Sequence, residues 1–124
     1  MQNTAAPQAV AQAYLAVWNE SDPDERRNKL AEHWSVEASY ADPLMAATGY
    51  GDIATMIEGA RSQFPGFGFK LIGDPDGHGD FVRFSWGAGP EGGATMIEGT
   101  DVVKLDADGR IAIIVGFLDR VPVA

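Results

Sequence analysis

The most informative residue of the chain is Asp42, an acid at the end of a predicted strand. The segment 36–43 reads Val-Glu-Ala-Ser-Tyr-Ala-Asp-Pro. Side chains along a strand alternate between its two faces, so Asp42 shares one face with Val36, Ala38 and Tyr40. An acid on an apolar face costs free energy unless it is hydrogen-bonded, protonated or functional. The pattern predicts either a pocket carboxylate or a carboxylate that accepts backbone hydrogen bonds where the strand turns.

A second acid, Asp101, lies on the apolar face of another predicted strand, which runs over about 94–105. Its neighbours at period two are Thr95, Ile97, Gly99, Val103 and Leu105. Burial raises the pKa of a carboxylic acid, and a second carboxylate nearby raises one of the two further. If Asp42 and Asp101 share a cavity, one acid would be neutral and the other ionised. That division permits proton transfer.

Tyr14 is the third candidate, because its phenol lies on the packed face of the first predicted helix. A buried phenol normally needs a hydrogen-bond partner. Around these three residues we expect a wall that binds a small, largely apolar molecule. Its expected members are Trp18, Met56, Ile57, Val82, Phe84, Trp86, Val103 and Phe117. For Phe84 and Trp86, the sequence leaves a core role and a pocket role equally open.

The elements that position these residues are three helices followed mainly by strands. Helical periodicity and capping signals predict helices over 6–20, 23–34 and 52–63. Alternation predicts strands over 36–43, 66–72, 80–86, 94–105 and 110–118. This order predicts one α+β domain over residues 1–124, with an antiparallel sheet that is covered on one face.

Three local features complete the expected fold. Asp74-Pro75-Asp76-Gly77 and Asp106-Ala107-Asp108-Gly109 have the composition of tight turns. The polar side of the second helix is expected to be solvated, and it consists of Asp24, Glu25, Arg26, Arg27 and Lys29. The segment 64–69 is rich in phenylalanine and glycine, and we expect it to cap the cavity.

Composition excludes several classes of function. The formal net charge is −9, which disfavours nucleic acid, an anionic membrane or an anionic substrate as partner. The chain has no cysteine, which excludes thiolate chemistry, and its two histidines are too far apart in sequence to indicate a metal motif. No signal sequence or membrane span is evident, so a cytoplasmic protein is expected.

Three motifs together resemble the nuclear transport factor 2-like superfamily over almost the whole chain. They are Tyr14-Leu-Ala-Val-Trp-Asn-Glu-Ser-Asp22, Tyr40-Ala-Asp-Pro43, and Gly99-Thr-Asp-Val-Val-Lys-Leu-Asp-Ala-Asp-Gly109. The superfamily includes ketosteroid isomerases and SnoaL-like polyketide cyclases. The resemblance implies a cone-shaped fold, in which three N-terminal helices pack on a strongly curved, mostly antiparallel sheet. It also implies a homodimer, for which the outer sheet face offers Phe81, Met96 and Val102.

The resemblance to ketosteroid isomerases implies a catalytic set of Asp42, Tyr14 and Asp101. Asp42 would remove a proton α to a carbonyl, while Tyr14 and protonated Asp101 would donate hydrogen bonds to the developing oxyanion. No cofactor and no metal is implied. The chain departs from those isomerases at Met56 and Ile57, where they carry aromatic residues on the third helix, and this argues against a steroid as substrate.

Other members of the superfamily imply other chemistry. SnoaL-like cyclases use an aspartate with help from a histidine, for which His78 is the candidate. Related epoxide hydrolases place an arginine between aspartates, and Arg83 is available, although it is more simply explained by pairing with a surface acid. The sequence thus predicts a cofactor-independent isomerase or cyclase, with a non-catalytic ligand-binding or dimerisation domain as the alternative.

Overall fold

In the computed structural model, which describes residues 6–121, three helices cover one face of a six-stranded sheet. The helices are α1 (Pro7–Asn19), α2 (Pro23–His33) and α3 (Tyr50–Gln63). The strands are β1 (Trp34–Ala41), β2 (Ala46–Thr48), β3 (Phe67–His78), β4 (Phe81–Pro90), β5 (Ile97–Leu105) and β6 (Ile111–Arg120). No helix within 6–121 is long and apolar enough to cross a membrane.

The sheet has the strand order β2-β1-β6-β5-β4-β3. β1 and β6 pair in parallel, and the other neighbours pair antiparallel. The sheet is curved and does not close, and α1 packs against its β3–β4 side while α2 and α3 pack near β1. The expected α+β cone with a mostly antiparallel sheet is therefore confirmed.

The helices form where capping and periodicity predict them. α1 begins with Pro7 at its first turn and buries an apolar stripe of Val10, Ala11, Tyr14, Leu15, Val17 and Trp18. α2 begins with Pro23, and the preceding Asp22 accepts a hydrogen bond from the Asp24 amide at 3.3 Å. The first helix therefore presents Tyr14 to the interior, as predicted.

The prediction that Arg26 lies on a solvated face is wrong. Its side chain is only 1% exposed, because the guanidinium lies between helices. Nη1 donates to Glu58 Oε2 on α3 at 2.6 Å, and Nη2 donates to the carbonyl of Glu20 after α1 at 2.6 Å. Arg26 thus ties the three helices together.

The turn predicted at 74–77 is also wrong. β3 runs through this segment, and its register against β4 is irregular between Ile72 and Asp76. Pro75 has no amide hydrogen, and β3 is an edge strand, where an irregular stretch can accommodate a proline. The chain instead reverses at Gly79, whose φ of 56° lies in the left-handed region.

The inward face predicted for β1 holds only in its second half. Ala38 and Tyr40 are buried, whereas Val36 is 64% exposed. The register between β1 and β6 shifts between Trp34 and Ser39, which breaks the strict alternation there. β2 was not predicted, since it is only three residues long and pairs with the end of β1.

Candidate functional site

A cavity of about 350 Å³ lies between the helices and the concave face of the sheet. Its wall is mainly apolar and aromatic, and none of its described residues is a lysine, arginine or histidine. The acids and phenols on the wall are Tyr14, Tyr40, Asp42 and Asp101. The other lining residues are Leu15, Trp18, Leu44, Met45, Ala60, Phe64, Phe67, Phe69, Trp86, Ala88, Ile97, Leu118 and Val121.

Asp101 is the buried acid of the site. It points inward from β5 and is 2% exposed. Burial raises its pKa to about 6, and the charge of nearby Asp42 acts in the same direction. Hydrogen bonds from Tyr14 and Trp86 oppose this rise in the pKa, and the Trp86 Nε1–H donates to Asp101 Oδ1 at 3.0 Å.

Two glycines make room for this arrangement. A Cβ on Gly99 would lie 2.4 Å from Cζ2 of Trp86, so the absence of a side chain lets the indole lie against β5. A Cβ on Gly116 would lie 2.9 Å from Asp101 Oδ1 and 3.3 Å from Asp42 Cβ. Gly116 thus lies beside both acids, and its lack of a side chain allows them to share one end of the cavity.

Asp42 follows β1 and is half-buried. Its Oδ1 accepts hydrogen bonds from the amides of Leu44 at 2.8 Å and Met45 at 3.0 Å. Its Oδ2 accepts the hydroxyl proton of Tyr40 at 2.5 Å. This carboxylate therefore supports a turn and also lines the cavity.

Ring packing holds the hydroxyl of Tyr14 beside Asp101. Its ring stacks on Trp34 with centroids 5.4 Å apart and contacts Phe84 at 5.1 Å. The hydroxyl lies close to Asp101 and Tyr40. Burial, followed by the charge of Asp101, raises the pKa of Tyr14 well above its ordinary value. Tyr14 therefore stays protonated and is available as a donor.

The structure brings five of the predicted site residues together. Tyr14, Trp18, Asp42, Trp86 and Asp101 all line the cavity. Trp18 contacts Tyr40 and Phe69, and Trp86 contacts Phe69, so these rings form a continuous aromatic wall.

Six of the predicted wall residues do not line this cavity, and that expectation is corrected. Ile57, Val82, Phe84 and Val103 are buried in the core, and Met56 is partly buried against it. Phe117 is 53% exposed, because on β6 its inward neighbours are Gly116 and Leu118. The alternation of side chains along a strand therefore identifies residues that point inward, but it does not separate the core from the cavity wall.

Several wall residues were missed, and one of them had a signal in the sequence. Tyr40 was placed on the same face as Asp42, two positions away, but was given no role. Leu44 and Met45 come from an irregular segment, where periodicity does not determine which way a side chain points. Leu118 lies on β6, whose inward face the sequence did not fix.

The expectation for the segment 64–69 is supported by its position, since Phe64, Phe67 and Phe69 all line the cavity. Phe64 and Phe67 contact each other with centroids 5.1 Å apart. The side chain of Asn19 makes two hydrogen bonds of 2.8 Å to the backbone of Phe69, one to its carbonyl and one from its amide. The end of α1 therefore fixes the start of β3.

His78 and Arg83 do not line the cavity. Arg83 donates to both carboxylate oxygens of exposed Asp76, at 3.1 and 2.7 Å, so its predicted pairing with a surface acid is confirmed. His78 ends β3 beside Phe81. Within residues 6–121, no three histidine, aspartate or glutamate side chains are grouped so as to hold a metal ion.

Comparison with known proteins places this geometry in context. A family model described as a SnoaL-like domain matches residues 11–114. A candidate isomerase of the SnoaL-like family from Agrobacterium tumefaciens is 50% identical, with a TM-score of 0.88 over 90% of this chain and 96% of that one. No curated protein matches the sequence significantly.

More distant structures share the fold alone. A candidate polyketide cyclase from Sinorhizobium meliloti is 16% identical, with a TM-score of 0.69 over 90% of this chain and 99% of that one. A protein from Catenulispora acidiphila with a ketosteroid isomerase-like fold, in complex with trimethylamine, is 15% identical. Its TM-score is 0.68, over 86% of this chain and 82% of that one.

Proposed function

This chain belongs to the SnoaL-like domain family, and we propose that it is a cofactor-independent isomerase or cyclase acting on a small, largely apolar carbonyl compound by aspartate-mediated proton transfer. The observation that carries the proposal is the meeting of Asp42 and Asp101, with the Tyr14 phenol, at one end of an apolar cavity. The relative named as a candidate isomerase, at 50% identity, supports the same class of reaction.

Each group has a distinct role in the proposed reaction. The Asp42 carboxylate takes a proton from the carbon α to the carbonyl, and the electron pair of that C–H bond moves to form an enolate. Tyr14 and neutral Asp101 donate hydrogen bonds to the enolate oxygen. In an isomerisation, Asp42 returns the proton to another carbon. In a cyclisation, the enolate carbon attacks a second carbonyl of the same molecule, the enolate oxygen becomes a carbonyl oxygen again, and the new alkoxide takes the proton held by Asp42.

The cavity limits the substrate. A volume of about 350 Å³ lies at the small end of the range for ligand pockets. Its described wall offers no cation to an anionic ligand, and two carboxylates would repel one. A neutral molecule with one or two rings and at least one carbonyl fits these conditions.

The proposed role of Asp101 has a defined pH dependence. Asp101 donates a hydrogen bond only while it is neutral, and its pKa is about 6. The value of kcat/KM should therefore fall as the pH rises through about 6. In Asp101→Asn the amide donates at every pH, so this fall should disappear. A wild-type rate that instead rises through pH 6 would assign the base role to Asp101.

The proposal is tested with a panel of neutral β,γ-unsaturated ketones and 1,3-diketones, with turnover followed by absorbance and NMR. We expect Asp42→Asn to lower kcat by about 10²-fold or more while ligand binding persists. Asp76→Asn is the matched control, because it changes an exposed aspartate that does not line the cavity and should leave kcat unchanged. Equal turnover by Asp42→Asn and wild type would overturn the proposal.

A second candidate is a ligand-binding domain that uses the same cavity without catalysis. The observation that favours it is that Asp42 already accepts three hydrogen bonds, two from turn amides and one from Tyr40, which explain the residue without catalysis. Wild type that binds members of the panel and converts none of them would establish this candidate.

We also propose that the chain forms a homodimer through the outer face of its sheet. Phe81 and Met96 are 41% and 40% exposed. β6 adds Ile113, Val115 and Phe117, which are exposed on the face away from the cavity. Large apolar side chains clustered on one sheet face favour association.

A further inference from the structure

The hydroxyl of Tyr40 lies between Asp42 and Tyr14, and Tyr40 has no role in the proposed reaction. Its side chain is 6% exposed and lines the cavity, and its ring contacts Trp18 with centroids 5.9 Å apart. Its hydroxyl is 2.5 Å from Asp42 Oδ2 and lies close to the hydroxyl of Tyr14. Tyr14 in turn lies close to Asp101.

The hydrogen-bond donors and acceptors of these four groups determine how they are connected. A phenol has one proton to donate and can also accept. Since the Tyr40 hydroxyl donates its hydrogen bond to Asp42, the Tyr40 oxygen can still accept a hydrogen bond from the side of Tyr14. The hydroxyl of Tyr14 can then donate its one hydrogen bond to Asp101, to Tyr40 or to a ligand oxygen. The order Asp42, Tyr40, Tyr14, Asp101 is a continuous series of hydrogen-bonding groups.

We propose that Tyr40 is a positioning residue that holds Asp42 Oδ2 in place and couples the protonation of Asp42 to the hydrogen bond that Tyr14 makes. This inference rests on the proposed function and extends it. When Oδ2 takes a proton from the substrate, the new acid donates to the Tyr40 oxygen. The Tyr40 hydroxyl then turns to donate to Tyr14, and the Tyr14 proton is directed to the ligand oxygen.

No covalent bond changes in this coupling, because each phenolic proton stays on its own oxygen and only the direction of donation reverses. The reversal strengthens the hydrogen bond to the ligand oxygen at the step in which negative charge develops there. Tyr40 thereby supports the oxyanion network from β1.

The groups that can influence this coupling are few. β1 and the residue after it contribute Tyr40 and Asp42, α1 contributes Tyr14, and β5 contributes Asp101. Asp119 on β6 adds a smaller effect on the pKa of Asp101. No lysine, arginine or histidine stands among the described lining residues.

The test is a titration of the aspartate carboxyls by ¹³C NMR in Tyr40→Phe, and it needs no substrate. Loss of a donor to the ionised carboxylate should move the Asp42 midpoint of the variant above that of wild type. Where a panel ketone is turned over, the midpoint of the acidic limb of the kcat/KM profile should move in the same direction. An Asp42 midpoint that matches wild type would overturn the inference.

Tyr50→Phe is the matched control. The Tyr50 hydroxyl donates to the carbonyl of Trp34 at 2.7 Å, and Tyr50 does not line the cavity. This variant should lose stability while both aspartate midpoints stay unchanged. A purely structural role for Tyr40 would give the same pattern in Tyr40→Phe, so the two variants separate positioning from structure.

Wild type supplies a second measurement if Tyr40→Phe does not fold. A hydroxyl proton in a 2.5 Å bond to a carboxylate should resonate downfield of the amide protons, and Asp42→Asn should move it upfield. Absence of this resonance would overturn the inference. A shifted Asp42 midpoint without turnover of any ketone would support the positioning role and reject the proposed catalysis.

Discussion

Asp101 carries the largest electrostatic cost in the site. Its pKa is about 6 in the fold, against 3.8 for an ordinary aspartate. The folded state therefore binds this proton more tightly than the unfolded chain does, so ionisation of Asp101 destabilises the fold. The penalty is absent below pH 3.8, grows between pH 3.8 and 6, and is complete above pH 6. At 1.36 kcal/mol per pKa unit it amounts to roughly 3 kcal/mol.

Asp101→Asn should therefore stabilise the protein at pH 8. The amide has no charge to desolvate, and its oxygen can still accept the bond from Trp86. We expect a free energy of unfolding higher than that of wild type by about 1–3 kcal/mol at pH 8, with most of this gain lost at pH 4. Chemical denaturation at the two pH values measures it. A gain of the same size at both pH values would exclude ionisation of Asp101 as its cause.

At the scale of elements, the aromatic wall depends on how the end of α1 joins the start of β3. Asn19 pairs with both backbone polar groups of Phe69, as a neighbouring strand would. Arg61 on α3 donates to the carbonyl of Trp18 at 2.8 Å. The positions of Trp18 and Phe69 on the cavity wall are thus set by polar contacts outside it.

Asn19→Ala should loosen this junction. Loss of two exposed hydrogen bonds should lower the free energy of unfolding by about 1–2 kcal/mol and speed hydrogen exchange at the Phe69 amide. Asn28→Ala, at an exposed site on α2, is the control: alanine favours the helix, so its stability should not fall, and exchange at the Phe69 amide should stay unchanged. Unchanged exchange at Phe69 in Asn19→Ala would contradict the role assigned to this junction.

Features set by local chemistry were predictable from the sequence. Asp22 and Pro23 predicted the start of α2, and strict alternation placed Asp101 inward on β5. The predicted turn at 74–77 failed because composition cannot tell a turn from an irregular stretch on an edge strand. The prediction that Arg26 is solvated failed for a similar reason, since its partners lie on other elements and only the folded chain brings them near.

The candidate site was predictable as far as the facing of side chains decides it. The alternation of side chains along the strands identified Asp42 and Asp101, and helical spacing identified Tyr14. Their meeting at one cavity depends on the pairing of β5 with β6 and of β6 with β1, and single-strand patterns do not contain that information. Phe117 was misplaced because the sequence did not fix which face of β6 is inward.

At the scale of the whole molecule, one sheet serves two surfaces. The concave face holds the acids and the cavity, while the outer face exposes Ile113, Val115 and Phe117 on β6. Because Gly116 separates Val115 from Phe117 and lies beside both acids, β6 takes part in both surfaces. Association through the outer face would therefore bury the backs of strands whose other side forms the site.

The homodimer is tested by Phe117→Lys. A lysine at this 53% exposed position adds charge to the apolar face and leaves the cavity wall unchanged. We expect wild type to sediment at twice the 13.2 kDa chain mass and the variant at the chain mass. Lys104→Gln is a control on the same face and should remain dimeric. A wild type that is monomeric at micromolar concentration would contradict the proposal.

The central claim is that Asp42 removes a proton from carbon next to a carbonyl. Its most direct test is exchange of the α hydrogens of 3-cyclohexenone with solvent deuterium, followed by ¹H NMR. We expect wild type and Asp76→Asn to exceed the buffer rate by about 10²-fold or more, while Asp42→Asn stays near the buffer rate. The claim would be contradicted if wild type binds the ketone but exchanges its hydrogens only at the buffer rate. It would also be contradicted if Asp42→Asn and wild type exchange them equally fast.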